Sequence, residues 1–475
     1  MLITLINPPS PYGAPSARFI PLGLGYLAAY LEEKQFEINV IDYQTKEITK
    51  KELITKLFKT QPKIVGVTAS TLTYKSAIDI VKTVKETLPN CLTILGGPHV
   101  TVLDEQTLKE SPEVDIIVRG EGENTLLEIA EAVDNQKIKE INNIKGISLR
   151  KKTQILRTTD RPFIKDLDEL PHPAFDHFDL DKYTISGKKY LPIITSRGCP
   201  FQCTFCLASK MCGTGFRTRS PKKVADELEW LRDVHKADIF AFYDDTFTFN
   251  MNRAYKICEE IKNRNIDLPW DCRTRVDKIN PRILAKMREA NCQLIHFGVE
   301  SGSQKMLNSM KKGTTVEQNA KGIKMAKESG IAVAISVVVG YPGETKELLK
   351  ETFDFIRKTE PDYVYVCQAI PYPGTEMYDE LKKLGWKVSD DWNSYDEQSA
   401  VFENPLISPL EIDEMRGKFY DDFFSPTYFL KKSIKKDFYS KTMAHATLNH
   451  LLWRIKFPKW FFSSFRKVVP KKDKE

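Results

Sequence analysis

Gly198-Cys199-Pro200-Phe201-Gln202-Cys203-Thr204-Phe205-Cys206 decides how this chain is read. The run follows an apolar, strand-like stretch, residues 191–195. Three cysteines spaced CxxxCxxC on one short loop can hold three irons of a cubic [4Fe–4S] cluster. A fourth cysteine would close the cluster for electron transfer. Three leave one iron open to a small molecule, as catalytic metal centres keep a position that structural ones fill. Cys212 lies six residues on, and as a fourth ligand it would block that iron, so it is read as a bystander. A zinc knuckle is the plainer alternative, and the motifs downstream disfavour it.

Residues 191–400 alternate strand and helix signals. Apolar runs at 191–195, 239–243, 270–275, 294–299, 332–339 and 363–370 predict six strands. Six strands with intervening helices suggest a parallel, partly closed (β/α)6 barrel of TIM type. Such barrels place their chemistry at the carboxyl ends of the strands. There the sequence carries Asp244-Asp245, Arg273 with Arg275, Gly298-Val299-Glu300-Ser301-Gly302, Gly340-Tyr341-Pro342-Gly343-Glu344-Thr345 and Pro371-Tyr372-Pro373-Gly374-Thr375. Cys367 is expected on the sixth strand as a core thiol.

Residues 1–140 also alternate. Short apolar runs at 2–6, 38–41, 64–67, 92–95 and 116–118 are separated by helical patterns such as 22–31 and 77–88. Continuous apolar strands between helices mean a parallel sheet covered on both faces. This predicts a doubly wound, Rossmann-like domain whose ligand lies beyond the strand ends. The residues there are Asn7-Pro8-Pro9-Ser10, Thr68-Ala69-Ser70-Thr71, Gly96-Gly97-Pro98-His99 and Arg119-Gly120-Glu121-Gly122-Glu123. Glycines admit a ligand close to the backbone, and hydroxyls can hydrogen-bond it. No GxGxxG follows the first strand, which weighs against a dinucleotide. His99 is read as a loop or pocket-wall residue. Residues 141–190 read as a linker with a hairpin at 146–158, and 401–475 as a helical extension.

The 475 residues include nine cysteines, thinly spread, with no disulfide framework and no secretory leader. That pattern and an oxygen-sensitive cluster place the protein in the cytoplasm. Residues 431–475 carry thirteen Lys/Arg against three Asp/Glu, a net of +10; with +7 overall, the first 430 residues are near −3. The tail also concentrates aromatics: Trp453, Phe457, Trp460, Phe461, Phe462 and Phe465. Aromatic and basic residues interleaved favour the headgroup boundary of an anionic membrane. The tail is therefore expected to attach peripherally to the inner face of the membrane. Nucleic acid is the weaker alternative.

The cysteine spacing and the ordered strand-end motifs resemble the radical S-adenosylmethionine (SAM) superfamily. Residues 1–400 together resemble its branch with an N-terminal cobalamin-binding domain, which includes methyltransferases, hopanoid methylases and archaeal tetraether-lipid ring synthases. The resemblance implies a [4Fe–4S] cluster on Cys199, Cys203 and Cys206, with SAM chelating the open iron. It implies Phe205, Arg273 or Arg275, Glu300, Ser301, Val338 and Gly340 as SAM contacts. It implies Pro9, Thr68, Ser70, Gly96, Gly97, Gly120 and Glu121 beside cobalamin. The Asp-x-His-x-x-Gly motif is absent, so cobalamin would have no histidine below cobalt.

The implied function is a 5′-deoxyadenosyl radical attacking an unactivated carbon. C-methylation or carbon–carbon ring closure would follow, on a hydrophobic small molecule or membrane lipid. An external ferredoxin or flavodoxin would supply the electron. A tRNA methylthiotransferase is the first alternative, but its family carries a second N-terminal cysteine triad, and Cys91 is the only cysteine here before 199. A non-catalytic cobalamin or redox sensor is the second, and the complete triad argues against it.

Overall fold

The computed structural model describes residues 1–11, 19–151, 154–435 and 437–456, with side chains to 452. It divides into two compact units, residues 1–407 and 408–475.

The first unit holds two sheets. β1 (Leu2–Asn7), β2 (Glu37–Asp42), β3 (Ile64–Thr68), β4 (Leu92–Gly96) and β5 (Ile116–Val118) run parallel. Helices Leu22–Glu32, Lys50–Thr60, Tyr74–Thr87 and Glu123–Asp134 connect or follow them. Side chains such as Ile3, Leu5, Val65, Leu95 and Ile117 are essentially inaccessible to water. Each buried aliphatic side chain of this kind contributes about 1.5–3 kcal/mol. The strand order is β2-β1-β3-β4-β5-β6-β7, so the chain reverses direction across the sheet between β1 and β3. In open α/β sheets that switch point is where ligands bind.

The hairpin β6 (Ile147–Lys151) and β7 (Gln154–Arg157) pairs antiparallel with β5. It therefore completes the first sheet instead of standing in a connector. The following segment also packs: Leu167, Leu170, Phe175, Phe178 and Tyr183 are buried. Tyr183 donates to Asp42 at the end of β2.

The second sheet contains β8 (Thr184–Ile185), β9 (Lys188–Ile193), β12 (Ile239–Phe242), β13 (Trp270–Thr274), β14 (Cys292–Glu300), β15 (Ala332–Val339) and β16 (Tyr363–Gln368), with the small pair β10 (Ser196–Arg197) and β11 (Arg217–Thr218) beside it. Its order is β16-β15-β14-β13-β12-β9-β8. β9, β12, β13, β14, β15 and β16 are the six parallel strands expected, and β8 adds an antiparallel edge. Among the described residues the two edge strands, β16 and β8, are not paired with each other, which leaves the barrel open on one side. Well-capped helices carry the chain back each time, for example Val316–Glu328, where Thr315 and Gln318 form a capping box.

The second unit is helical: Pro409–Phe423, Pro426–Ser433 and Phe438–Lys456. Phe419, Phe423, Phe424 and Tyr428 form a chain of ring contacts, and His450 joins it through Phe424. No helix among the described residues is long and apolar enough to cross a membrane. The side chain of Trp453, and Phe457, Trp460, Phe461, Phe462 and Phe465, lie outside the described residues.

Candidate active site

The cysteine loop leaves β10 and is tied down from three sides. The Thr204 N–H donates to the Met310 carbonyl at 3.1 Å, and its own carbonyl accepts from the Met377 N–H at 2.9 Å. Its hydroxyl meets the Tyr341 phenol at 2.6 Å. At the loop entrance the Cys199 N–H donates to the Gly213 carbonyl. Gly198 there has φ +92°, and a Cβ would come within 2.1 Å of the Gly215 carbonyl oxygen. Only glycine fits.

Three free thiols at this spacing on one loop suit a cluster with one iron left open, each thiolate taking its own iron. Burial raises the pKa of all three thiols, that of Cys206 to about 12 although the residue as a whole is exposed. Arg275 and Lys312 act in the opposite sense on Cys199 and Cys203. N–H groups of Phe201 and Ala208 point at Cys199 and Cys206, which favours thiolates over thiols.

Next to the loop is a compact charged group. Glu300 ends β14 with φ +65°, in a bulge that breaks the register with β15. A non-glycine residue in this conformation costs on the order of 1 kcal/mol and is held only where the surroundings over-determine it. Here Lys312 Nζ binds Glu300 Oε1 at 2.8 Å, both side chains being nearly buried. Gly298 makes room: a Cβ there would lie 2.4 Å from Glu300 Oε1 and 3.0 Å from Lys312 Nζ. Arg275 lies over the Phe201 ring at 3.7 Å and donates to Asp277 and to the Lys312 carbonyl. Carboxylate, ammonium and guanidinium so close to the triad suit the zwitterionic end of an amino acid.

The other sequence-predicted SAM residues divide. Phe205 packs against the cluster of Met306, Val338, Tyr341, Ala369 and Ile370, an apolar shelf that suits an adenine. Gly340 (φ +75°) turns the chain at that shelf, its N–H held by the Glu344 carboxyl at 2.6 Å. Ser301 is fully buried and its hydroxyl meets Thr352 at 2.9 Å, so it anchors the helix Lys346–Thr359. Lys312 is not among the sequence-predicted residues, and Glu344 is there only as a member of the strand-end motif at 340–345. Lys312 has no sequence signal, being twelve residues from its partner in a Lys-Lys-Gly turn.

A hollow of about 530 Å³ opens at the switch point of the first sheet. That is the size of a pocket for one small-molecule moiety. Thr68, Ser70, Gly96, Gly97, Gly120 and Glu121 line it, and Pro9 does not. Arg197, Cys212, Tyr243 and Asp245 reach it from the barrel side, so it runs to the edge of the cysteine loop. Glycine backbone and hydroxyls against a largely apolar wall suit one part of a bulky, amide-fringed cofactor. His99 is not on that wall. It is buried between Tyr74 and Trp392, its Nδ1 meets Thr71 Oγ1 at 3.2 Å, and desolvation lowers its pKa to about 4.

Glu121 faces the hollow, but its carboxylate is engaged. Arg197 and Arg217 bind Oε1 at 3.1 and 2.9 Å, and the Ile164 N–H donates to Oε2. Arg197 also binds Glu123 at 2.7 Å. Arg217 holds the Cys212 carbonyl. This clasp joins the loop after β5 to both strands flanking the cysteine loop.

The inner wall of the barrel is polar and aromatic. Tyr190 donates to Asp271 at 2.7 Å. Arg273 lies 4.2 Å from the Tyr243 ring centre, and its register partner His296 stacks on Tyr365. Burial opposes the charge on Arg273; Tyr190, Tyr243 and Asp271 outweigh it and raise its pKa. Burial and then Arg273 lower that of His296 to about 4.

Comparison with known proteins agrees with this geometry. Residues 193–356 match the family profile described as the radical SAM superfamily, and residues 15–130 that of the B12 binding domain. An uncharacterized methyltransferase of Pyrococcus horikoshii is 34% identical over 87% of this chain and 90% of its own length. The chain belongs to the cobalamin-binding branch of the radical SAM superfamily. Anaerobic magnesium-protoporphyrin IX monomethyl ester cyclase of Rubrivivax gelatinosus is 32% identical over 88% of this chain and 76% of its own length. Hopanoid C-3 methylase of Methylococcus capsulatus is 27% identical over 84% and 76%. Among solved structures, the methyltransferase TsrM of Kitasatospora setae, with cobalamin and a [4Fe–4S] cluster, superposes with TM-score 0.70 at 19% identity, covering 81% of this chain and 78% of that one. OxsB with aqua-cobalamin gives 0.74 at 20%, covering 94% and 71%. These two share the fold. The protein is thus a radical SAM enzyme whose cofactors are the cluster, SAM and cobalamin.

Proposed function

We propose that this radical SAM enzyme C-methylates an unactivated carbon of a hydrophobic substrate of the membrane-lipid or isoprenoid class. When bound, the cluster and SAM supply a 5′-deoxyadenosyl radical and cobalamin a transferable methyl group. The chain's own part is placement. One observation carries the reading: a single hollow is walled by Thr68 and Gly97 of the first sheet and by Cys212, Tyr243 and Asp245 next to the cysteine loop. The clasp through Arg197 and Arg217 holds those walls together.

Glu300, Lys312 and Arg275 serve to hold the methionine end of SAM, and Phe205 with Val338 its adenine. The residues reaching the hollow from the loops after β1, β3, β4 and β5 serve to hold cobalamin. Tyrosines along the barrel wall keep water from the reacting carbon. The hopanoid methylase among the relatives and the basic, aromatic tail support a lipid substrate met at the inner membrane surface. Ring closure is the second reading, favoured by the 32% identity to the porphyrin ester cyclase. The electron comes from an external ferredoxin or flavodoxin. The exposed residue Cys206 and the hollow of about 930 Å³ behind its loop support entry there.

The test is anaerobic reconstitution with cluster and cobalamin, then incubation of SAM carrying a deuterated methyl group with lipid extract from a strain lacking the protein. Deuterated methyl in one lipid class, with 5′-deoxyadenosine formed alongside, is the expected result. A cyclised product without label would replace methylation by ring closure. Label found only outside the lipid fraction would refute the substrate class.

A further inference from the structure

Arg273 and Arg275 are two residues apart, and the structure sends them to different places. Arg275 lies past the end of β13 among Phe201, Asp277 and the Lys312 carbonyl, beside the cysteine loop. Arg273 is inside β13, on the same face as Asp271, with the Tyr243 ring 4.2 Å beneath its guanidinium. Its Nη1 is buried, and among the described residues no partner is within hydrogen-bonding geometry of it, the Tyr243 phenol being the nearest polar group that influences it. Nε2 of His296, its register partner on β14, is likewise buried and unpartnered. Buried donors of a guanidinium are satisfied in nearly all proteins, and each exception asks for a missing partner. Tyr365, on the edge strand β16, stacks on His296 and is half exposed, so one ring separates the pair from solvent. Tyr243, which carries Arg273, also lines the hollow at the first sheet.

We propose that Arg273, with His296 beside it, binds an acidic group, a carboxylate or a phosphate monoester, on the substrate, and that Arg275 alone of the two serves SAM. The inference rests on the reading of the barrel interior as the substrate site, and it makes that hydrophobic substrate an amphiphile. A planar guanidinium presents paired N–H groups that match either anion. Stacking on Tyr243 fixes the plane, so the acidic group is held at one depth and the carbon to be modified is set relative to the hollow. Neutral His296 adds a hydrogen-bonding nitrogen without a second charge.

The test uses the full-length protein loaded with cluster and cobalamin, and three probes: benzoate, phenyl phosphate and benzyl alcohol. Binding is followed by ligand-observed NMR, and SAM affinity and cobalamin retention are measured on the same samples. Wild type is expected to prefer one or both anions over the alcohol by about 10- to 100-fold, the range for a hydrogen bond to a charged group. Preference for benzoate assigns a carboxylic acid, and preference for phenyl phosphate a phosphoester. Arg273→Gln should erase the preference while SAM affinity and cobalamin retention stay at wild-type values. Arg273→Lys keeps the charge without the fork and should retain part of the preference, which separates loss of recognition from loss of fold. Equal binding of anions and alcohol by wild type overturns the proposal. So does a tenfold loss of SAM affinity in Arg273→Gln, which would hand Arg273 to the SAM carboxylate. No turnover enters this readout, so an enzyme that prefers anions through Arg273 but transfers no methyl would refute the methylation reading and leave this one standing.

Discussion

Replacing Glu344 by glutamine should remove a pH dependence that the fold builds into the loop after β15. Glu344 is fully buried; one oxygen accepts the Gly340 N–H at 2.6 Å and the other has no partner among the described residues. Burial is the dominant influence, the Gly340 N–H opposes it, and the pKa rises from 4.5 to about 8. The carboxyl is therefore protonated at neutral pH. In the opened state it loses its proton near 4.5, while the native state keeps it to about 8. Between those values the native state binds more protons, so its stability falls as pH rises. One proton changes stability by about 1.4 kcal/mol per pH unit, or roughly 4 kcal/mol from pH 5 to pH 8. Glutamine is neutral, has nearly the same shape and accepts the same N–H. A chain of this size does not unfold in one step, so the assay must be local. Hydrogen exchange at the Gly340 amide, corrected for intrinsic rate, gives the opening free energy of the turn. Wild type should lose most of those 4 kcal/mol over the range and Glu344→Gln should stay flat. Parallel profiles, or a wild-type turn that tightens with pH, would refute the buried, protonated carboxyl.

Alanine at Cys199, Cys203 and Cys206 together should abolish the iron–thiolate absorption and all SAM cleavage; undiminished 5′-deoxyadenosine from this variant would refute the cluster assignment. Gly298→Ala drives a Cβ to within 2.4 Å of Glu300 Oε1, displacing it from Lys312. SAM affinity measured by calorimetry should fall about 10- to 100-fold while the iron content holds, and an unchanged affinity would detach Glu300 from SAM. Electron paramagnetic resonance of the cobalt(II) form should show no nitrogen hyperfine splitting from the protein, because His99 is walled in by Tyr74 and Trp392. Splitting that vanishes in His99→Ala would contradict the buried position. The tail at 428–475 should hold the protein on anionic liposomes at low salt, each basic residue near the surface adding about 1 kcal/mol. Sedimentation that shows no salt-dependent release would count against it, and tight tRNA binding in its place would favour nucleic acid.

Some of this was legible in residue order alone. The short apolar runs at 64–67, 92–95 and 332–339, set between helical patterns, read as strands covered on both faces, because a half-exposed strand would have alternated. CxxxCxxC and the strand-end motifs are local, since ligands on one loop are set by covalent spacing. The hairpin at 146–158 was legible as a hairpin but not its place, because sheet membership depends on which edge is free when the chain returns. Charged residues were the least readable. Glu121 could be placed at a strand end, but its partners Arg197 and Arg217 lie 76 and 96 residues on. Lys312 meets Glu300 only because β14 bulges there. Arg273 and Arg275 were indistinguishable as letters; one falls inside the strand and keeps its inward face, the other falls past its end and turns toward the cysteines. Spacing along the chain determined which elements form and where the cluster sits. Partner choice for buried charges was decided by tertiary structure, because a charge taken out of water must find its counterpart in space and no sequence rule fixes how far along the chain that counterpart lies.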